Sequence, residues 1–164
     1  MMGQIDRLWA PWRSAFVSVR RPRRCIFCGI RSLSQAGQRR LQIVARGRHA
    51  FALLNRYPYN NGHLMVAPYR HIGRLESLRS QEWLDLFQLC ARFTRVLTQR
   101  LHPDGFNVGM NLGRVAGAGF PGHLHLHLVP RWNGDTNFMP ILGGTKVLPQ
   151  SLDELYRLLT AARR

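Results

Sequence analysis

Three histidines stand at alternate positions, His123, His125 and His127, in the run Gly-His-Leu-His-Leu-His-Leu-Val-Pro-Arg. In an extended strand, side chains two apart share a face about 6–7 Å from one another, so the imidazoles are expected on one face and Leu124, Leu126 and Leu128 on the other. Imidazole changes charge near neutrality and offers a lone pair on one nitrogen while holding a proton on the other. It therefore suits nucleophilic attack, proton transfer or metal ligation. A purely structural strand would have to find a hydrogen-bond partner for each buried ring, which three in register make a demanding arrangement.

A glycine-rich stretch from Leu112 to Gly122, which includes Gly117, Ala118 and Gly119, runs directly into these histidines. Glycine lets successive amides turn inward and wrap an oxyanion, so the loop and the imidazoles together predict a phosphate-binding site. Cys25-Ile26-Phe27-Cys28 reads as half of a zinc site or as a redox pair, and Cys90 as a small core residue. Three cysteines in 164 residues do not make a disulfide framework.

The elements that must position these groups follow from patterning. Gln42–Ala45 and Ala50–Leu54 are strands around Arg46-Gly47-Arg48, and His63–Pro68 is a third. Ser80 is the expected N-cap of a long helix, Gln81–Leu101, with Trp83, Phe87, Cys90, Leu97 and Leu101 on its apolar face. Pro103, Asp104 and Gly105 end it, Phe106–Asn111 is a strand, and Leu124–Pro130 is the histidine strand, closed by Asn133-Gly134. A second amphipathic helix starts near Ser151 with Asp153 and Glu154 in its first turn. The expected architecture is α+β, an antiparallel sheet with one long packed helix and a C-terminal helix. Residues 1–24, with Trp9, Trp12 and Phe16 among arginines, form an expected amphipathic extension before a domain at 25–164.

A formal charge of +16 predicts attraction to phosphate in some form. All but one of the 24 lysines and arginines are arginine, the exception being Lys146, and they are dispersed without interleaved aromatics, which argues against a nucleic-acid partner. No apolar run is long enough for a membrane span and the first residues lack an apolar leader, so a cytoplasmic protein is expected.

The sequence resembles the histidine triad nucleotide-binding proteins, whose signature of alternating histidine and hydrophobic residues His123–Val129 matches throughout. Phe51-Ala-Leu-Leu-Asn55-Arg and Asn61-Gly62-His63-Leu-Met-Val-Ala-Pro68 are similar to the family's first nucleotide-binding segment. Asn107–Pro140, with Pro130-Arg131-Trp132, is similar to the bacterial branch related to diadenosine tetraphosphate phosphorylase, and the likeness covers about residues 7 to 160. The resemblance implies a histidine-triad fold and an enzyme that cleaves dinucleoside polyphosphates through a covalent nucleotidyl-histidine, with inorganic phosphate or water as acceptor. His125 would be the nucleophile, His127 and His63 donors flanking the phosphate, and His123 the remaining catalytic member. Asn55 would contact ribose, Asn111 and the amides of Gly117, Ala118 and Gly119 phosphate, and Trp132 would lie by the substrate.

The same resemblance implies a structural zinc held by Cys25, Cys28, His71 and His123, no organic cofactor, and a homodimer or higher homo-oligomer. Two departures stand out. Ala118 to Gly122 lacks the polar residue that many members carry before the triad, and Leu124 stands where the related uridylyltransferases have proline. A water-using dinucleoside polyphosphate or nucleoside phosphoramidate hydrolase is the rival enzyme, and a non-catalytic nucleotide-binding regulator the rival from another class. An intact His125 argues against the regulator.

Overall fold

The computed structural model describes residues 25–136 and 148–161; the expected extension at 1–24, Lys146, and the stretch Asn137–Pro140 of the last motif lie outside them. Five strands, β1 (Ile43–Arg46), β2 (Ala50–Leu54), β3 (Leu64–Pro68), β4 (Gly105–Met110) and β5 (Leu126–Arg131), form one sheet in the order β1-β2-β3-β5-β4. Every neighbouring pair is antiparallel. Among the described residues three α-helices accompany it, α1 (Gln35–Arg40), α2 (Ser80–Leu101) and α3 (Leu152–Thr160), giving the α+β architecture expected.

One sheet face packs Val44, Leu54, Leu64, Val66, Leu126 and Leu128 against Leu86, Phe93 and Leu97 of α2 and Leu155 and Leu159 of α3. The other face carries a second apolar cluster in which Phe27 and Ile30 cover Ile43, Phe51, Leu53, Met65 and Ala67. Central strands β2 and β3 are consequently buried at every position, and the histidine face is itself partly core.

Several boundaries differ from expectation. The ladder of β5 begins at Leu126, so His123, Leu124 and His125 form an extended lead-in, tied by the Leu124 N–H to the Ile72 carbonyl at 2.7 Å. Ser80 is already helical: Arg79 occupies the cap position, and its N–H donates to the Glu82 carboxylate at 2.9 Å. The face of α2 that meets the sheet is Leu86, Leu89, Cys90, Phe93 and Leu97, whereas Phe87 is 49% exposed and stacks on Trp83. Adjacent Leu86 and Phe87 each fit an apolar stripe, and only tertiary packing chooses between them. Helix α1 buries no side chain and has no apolar period to announce it; the Ser34 hydroxyl accepts from the Gly37 N–H to start it.

Two contacts set the geometry around the site. The Asp85 carboxylate of α2 accepts the N–H groups of His49 and Ala50 at 2.6 and 2.8 Å, pinning the β1–β2 hairpin to the helix. Gly62, immediately before His63, has φ +72°, and a Cβ there would stand 2.9 Å from Leu101. Only glycine makes that turn without strain.

Candidate active site and metal centre

His125 is 5% exposed, and its Nδ1 lies 2.8 Å from the carbonyl oxygen of His123. A carbonyl only accepts, so Nδ1 holds the proton and the lone pair is on Nε2. Burial lowers the His125 pKa, against the opposing effect of that hydrogen bond, which keeps the ring neutral at neutral pH. Its faces meet Phe27, stacked at 5.0 Å between centroids, and His127, edge-on at 5.0 Å.

Behind His127 stands His63, with Nε2 2.9 Å from Nδ1 of His127. The Tyr59 N–H donates to Nδ1 of His63 at 2.9 Å, and the Asn55 amide nitrogen lies 3.3 Å from the same atom. Since Nδ1 of His63 accepts, its Nε2 carries the proton and donates to Nδ1 of His127, which places the His127 proton on Nε2. A backbone amide thereby fixes two tautomers in series. His63, 1% exposed with both nitrogens committed to protein, is not placed to reach a phosphate directly; its Nε2 faces His127 instead.

His123 faces the other way. Its Nε2–H donates to the Pro68 carbonyl at 2.9 Å, leaving Nδ1 3.3 Å from the Cys25 sulfur and 3.8 Å from the Cys28 sulfur. Nδ1 of His71 is 3.2 Å from the Cys28 sulfur, and the four donor atoms lie within 4.8 Å of one another. Ligand atoms around tetrahedral zinc sit about 3.3–3.8 Å apart, given Zn–S near 2.3 Å and Zn–N near 2.0–2.1 Å, so the set fits a closed Cys2His2 site. Burial pushes His123 down to about 4, with the charges of His71 and His125 acting in the same direction and the Pro68 bond against it. The neutral ring is the form that ligates a metal, and the Pro68 carbonyl orients it.

The expected substrate residues are distributed differently. Asn111 follows β4, one step past the pair Met110↔Leu126, which brings it opposite His125. Asn55 makes an Asx turn, its Oδ1 accepting the Tyr57 N–H at 3.0 Å, while its Nδ2 reaches His63. The N–H groups of Gly117 and Ala118 do not turn inward as a nest: they close the loop on the carbonyls of Arg114 and Gly113 at 3.0 and 3.2 Å. Gly119 lies in the same loop, between the 3%-exposed Ala118 and Phe120. Trp132 is not at the histidines but at the far end of β5, where its indole N–H caps α2 through the Leu101 and His102 carbonyls at 3.2 and 3.1 Å. Sequence reasoning did not single out Phe27, Tyr59 or Pro68. Only Phe27 carried a signal, its place between the two cysteines.

A family model described as the HIT domain matches residues 36–134. The chain belongs to the histidine triad family. It is 43% identical over 162 residues to the AP-4-A phosphorylase of Mycobacterium tuberculosis, spanning 95% of this chain and 83% of that relative. It is 32% identical to the asymmetrical bis(5'-nucleosyl)-tetraphosphatase of Schizosaccharomyces pombe, over 57% of this chain and 51% of that one. Among solved structures, the fold matches a Zn-bound histidine triad family protein from Mycobacterium smegmatis with TM-score 0.66 and 29% identity, covering 84% of this chain and 91% of that one. A hypothetical histidine triad nucleotide-binding protein from Sulfolobus tokodaii matches at TM-score 0.62 and 27% identity, over 84% and 87% of the two chains.

Proposed function

We propose that this histidine triad protein cleaves dinucleoside polyphosphates, diadenosine tetraphosphate first among them, by transferring a nucleotidyl group through His125 to inorganic phosphate. The observation that carries the reading is the 2.8 Å bond from Nδ1 of His125 to the His123 carbonyl, because it leaves a neutral imidazole with its lone pair on Nε2. The likeness to an AP-4-A phosphorylase over nearly the whole chain supports the substrate class.

In this mechanism Nε2 of His125 attacks the α-phosphorus, the bridging P–O bond breaks, and the electron pair leaves with the remaining polyphosphate. The Nε2–H of His127, held in that tautomer by His63 and the Tyr59 amide, donates to the phosphate oxygens on which charge gathers. Asn111 supplies a second donor, Gly119 contributes its backbone to the phosphate side, and Asn55 serves the ribose once its amide swings from His63. An oxygen of inorganic phosphate then displaces the imidazole and the nucleoside diphosphate departs. Zinc at Cys25, Cys28, His71 and His123 would cross-link the Cys25–Cys28 turn to the histidine lead-in and take no part in bond making.

The reading extends to assembly and compartment. β4 lies at the sheet edge with Asn107, Val108 and Gly109 exposed, a surface suited to pairing two copies of the domain at 25–164. A thiolate metal site needs a reducing compartment, which favours the cytoplasm, and among the described residues no helix is long and apolar enough to cross a membrane.

Incubation with diadenosine tetraphosphate, with and without inorganic phosphate, separates the acceptors. ATP plus ADP formed only with phosphate is expected. ATP plus AMP formed regardless of phosphate would make water the acceptor, and an intact substrate would remove the enzymatic reading.

A further inference from the structure

Phe27 occupies an unusual position. It lies between the two cysteines of the metal centre, in a turn closed by the Cys28 N–H on the Cys25 carbonyl at 3.3 Å. Both sulfurs point at histidine nitrogens, and the phenyl ring between them is 1% exposed. It stacks on the His125 ring at 5.0 Å with planes 30° apart, and tilts against His123 at 5.1 Å. Phe120 meets its edge at 5.7 Å, and the Phe51 ring is more distant at 6.4 Å, so Phe120 is the aromatic that braces the phenyl.

The consequence concerns an imidazole that, among the described residues, has one hydrogen bond to protein, from Nδ1 to the His123 carbonyl. One hydrogen bond fixes a direction and leaves rotation about it open. Closing that rotation takes a surface against the ring face, and offset aromatic pairs favour a defined stacking geometry over sliding.

We infer that Phe27 is a positioning residue for His125, delivered by the metal-binding turn, and that it keeps Nδ1 on the His123 carbonyl and Nε2 available for attack. This rests on the reading of His125 as nucleophile. The Cys-x-x-Cys turn then has two outputs, its sulfurs to the metal and its phenyl ring to the reacting imidazole. Loss of the ring should slow formation of the nucleotidyl-enzyme while leaving substrate binding intact, because no part of the nucleotide needs to touch Phe27 for this effect.

The test uses the metal-loaded protein with Phe27→Leu, which retains an apolar side chain and removes the ring, and Phe51→Leu as a packing control from the same cluster with no ring contact to His125. Phe27→Leu is expected to lower kcat about three- to tenfold with KM within about twofold, the range that loss of one aromatic pair supports. Nitrogen-15 spectra of the imidazoles should show His125 moving from the pure Nδ1–H tautomer to a mixture. Phe51→Leu should lower the melting temperature and change neither readout. Wild-type kcat and a pure tautomer in Phe27→Leu, or the same two changes in Phe51→Leu, overturn the proposal; if Phe27→Leu does not fold, Phe27→Met is judged by the same criteria. The spectra need no substrate, so they decide the positioning role even if His125 proves not to be nucleotidylated.

Discussion

His125 gives its Nδ1 proton to the carbonyl of His123 at 2.8 Å, so the backbone of a residue whose side chain faces two cysteines sets the tautomer of the next histidine in the row. Alternate residues of one extended segment thus meet different partners, and the proposed roles divide accordingly: His123 to the metal site, His125 to attack and His127 to donate. The division follows from what each ring's second nitrogen meets, the Pro68 carbonyl, the His123 carbonyl and His63 respectively.

The covalent step has one nucleophile whereas binding is spread over many groups. His125→Ala should lower turnover by at least about a thousandfold and leave nucleotide affinity within a few-fold, measured by calorimetry with a non-hydrolysable analogue. His125→Gly should regain activity with added imidazole. Near-wild-type turnover in His125→Ala removes the proposed mechanism.

Breaking the relay behind His127 has a different signature. His63→Phe keeps an apolar ring in the buried position but removes the Nε2–H donor, so His127 no longer has a fixed tautomer. A fall in kcat of roughly ten- to a hundredfold, at or below the lower end of the range for positioned proton donors because His63 acts one ring away, is expected with KM little changed. An unchanged kcat would show that His127 needs no partner.

Much of the architecture was legible in advance because it depends on short-range signals. The Ser151–Glu154 capping box, the hairpin around Gly47 and the alternation of leucine and histidine each declare themselves within a few residues. The four metal ligands were assembled only by family resemblance, since nothing in local pattern joins Cys25 to His123. Trp132 and Phe87 were misplaced for a shared reason: an aromatic side chain advertises burial or binding equally, and its destination depends on what packs opposite. The amides of Gly117 and Ala118 were misjudged because a glycine loop can aim its N–H groups at an anion or spend them on its own carbonyls, and composition is the same in both cases.

Metal content gives a direct check on the Cys2His2 geometry. Protein purified without chelator should hold close to one zinc per chain by elemental analysis, and Cys25→Ser, Cys28→Ser together should remove it. Because a metal bound only by the folded state stabilises by mass action, chelation should lower the melting temperature. A metal-free wild type indifferent to chelator would refute the site.

Trp132 offers a test of its corrected role. Trp132→Phe keeps the apolar ring and loses the hydrogen bonds to the Leu101 and His102 carbonyls at the end of α2. A loss of about 1 kcal/mol in chemical denaturation, with kcat and KM unchanged, is expected of a structural cap. A rise in KM without loss of stability would return Trp132 to the substrate site.

The Arg70–Glu82 pair links the segment carrying His71 to the first turn of α2. Glu82 has 5% of its side chain exposed, against 38% for Arg70, and two oxygens of the carboxylate receive Arg70 nitrogens at 2.7 Å each. The hydrogen bonds from Arg70, ahead of the opposing effect of burial and the contribution of the Arg79 amide, hold the Glu82 carboxyl below its ordinary value of 4.5. A depressed carboxyl contributes stability that is fully present above the unfolded value and is lost as pH falls through the folded one. The Glu82 contribution should therefore be level above pH 4.5 and be lost below it, with Asp135, also depressed by its Arg131 partner, adding to the fall, while the buried neutral rings of His123 and His125, both lowered by burial, already start a decline in melting temperature below pH 6.5. Glu82→Gln should flatten part of that drop and cost about 2–3 kcal/mol near neutral pH, less than the roughly 3–5 kcal/mol of a fully buried pair because water screens Arg70. If Glu82→Gln leaves the acid limb unchanged, the ion pair is not what holds the His71 segment to the helix.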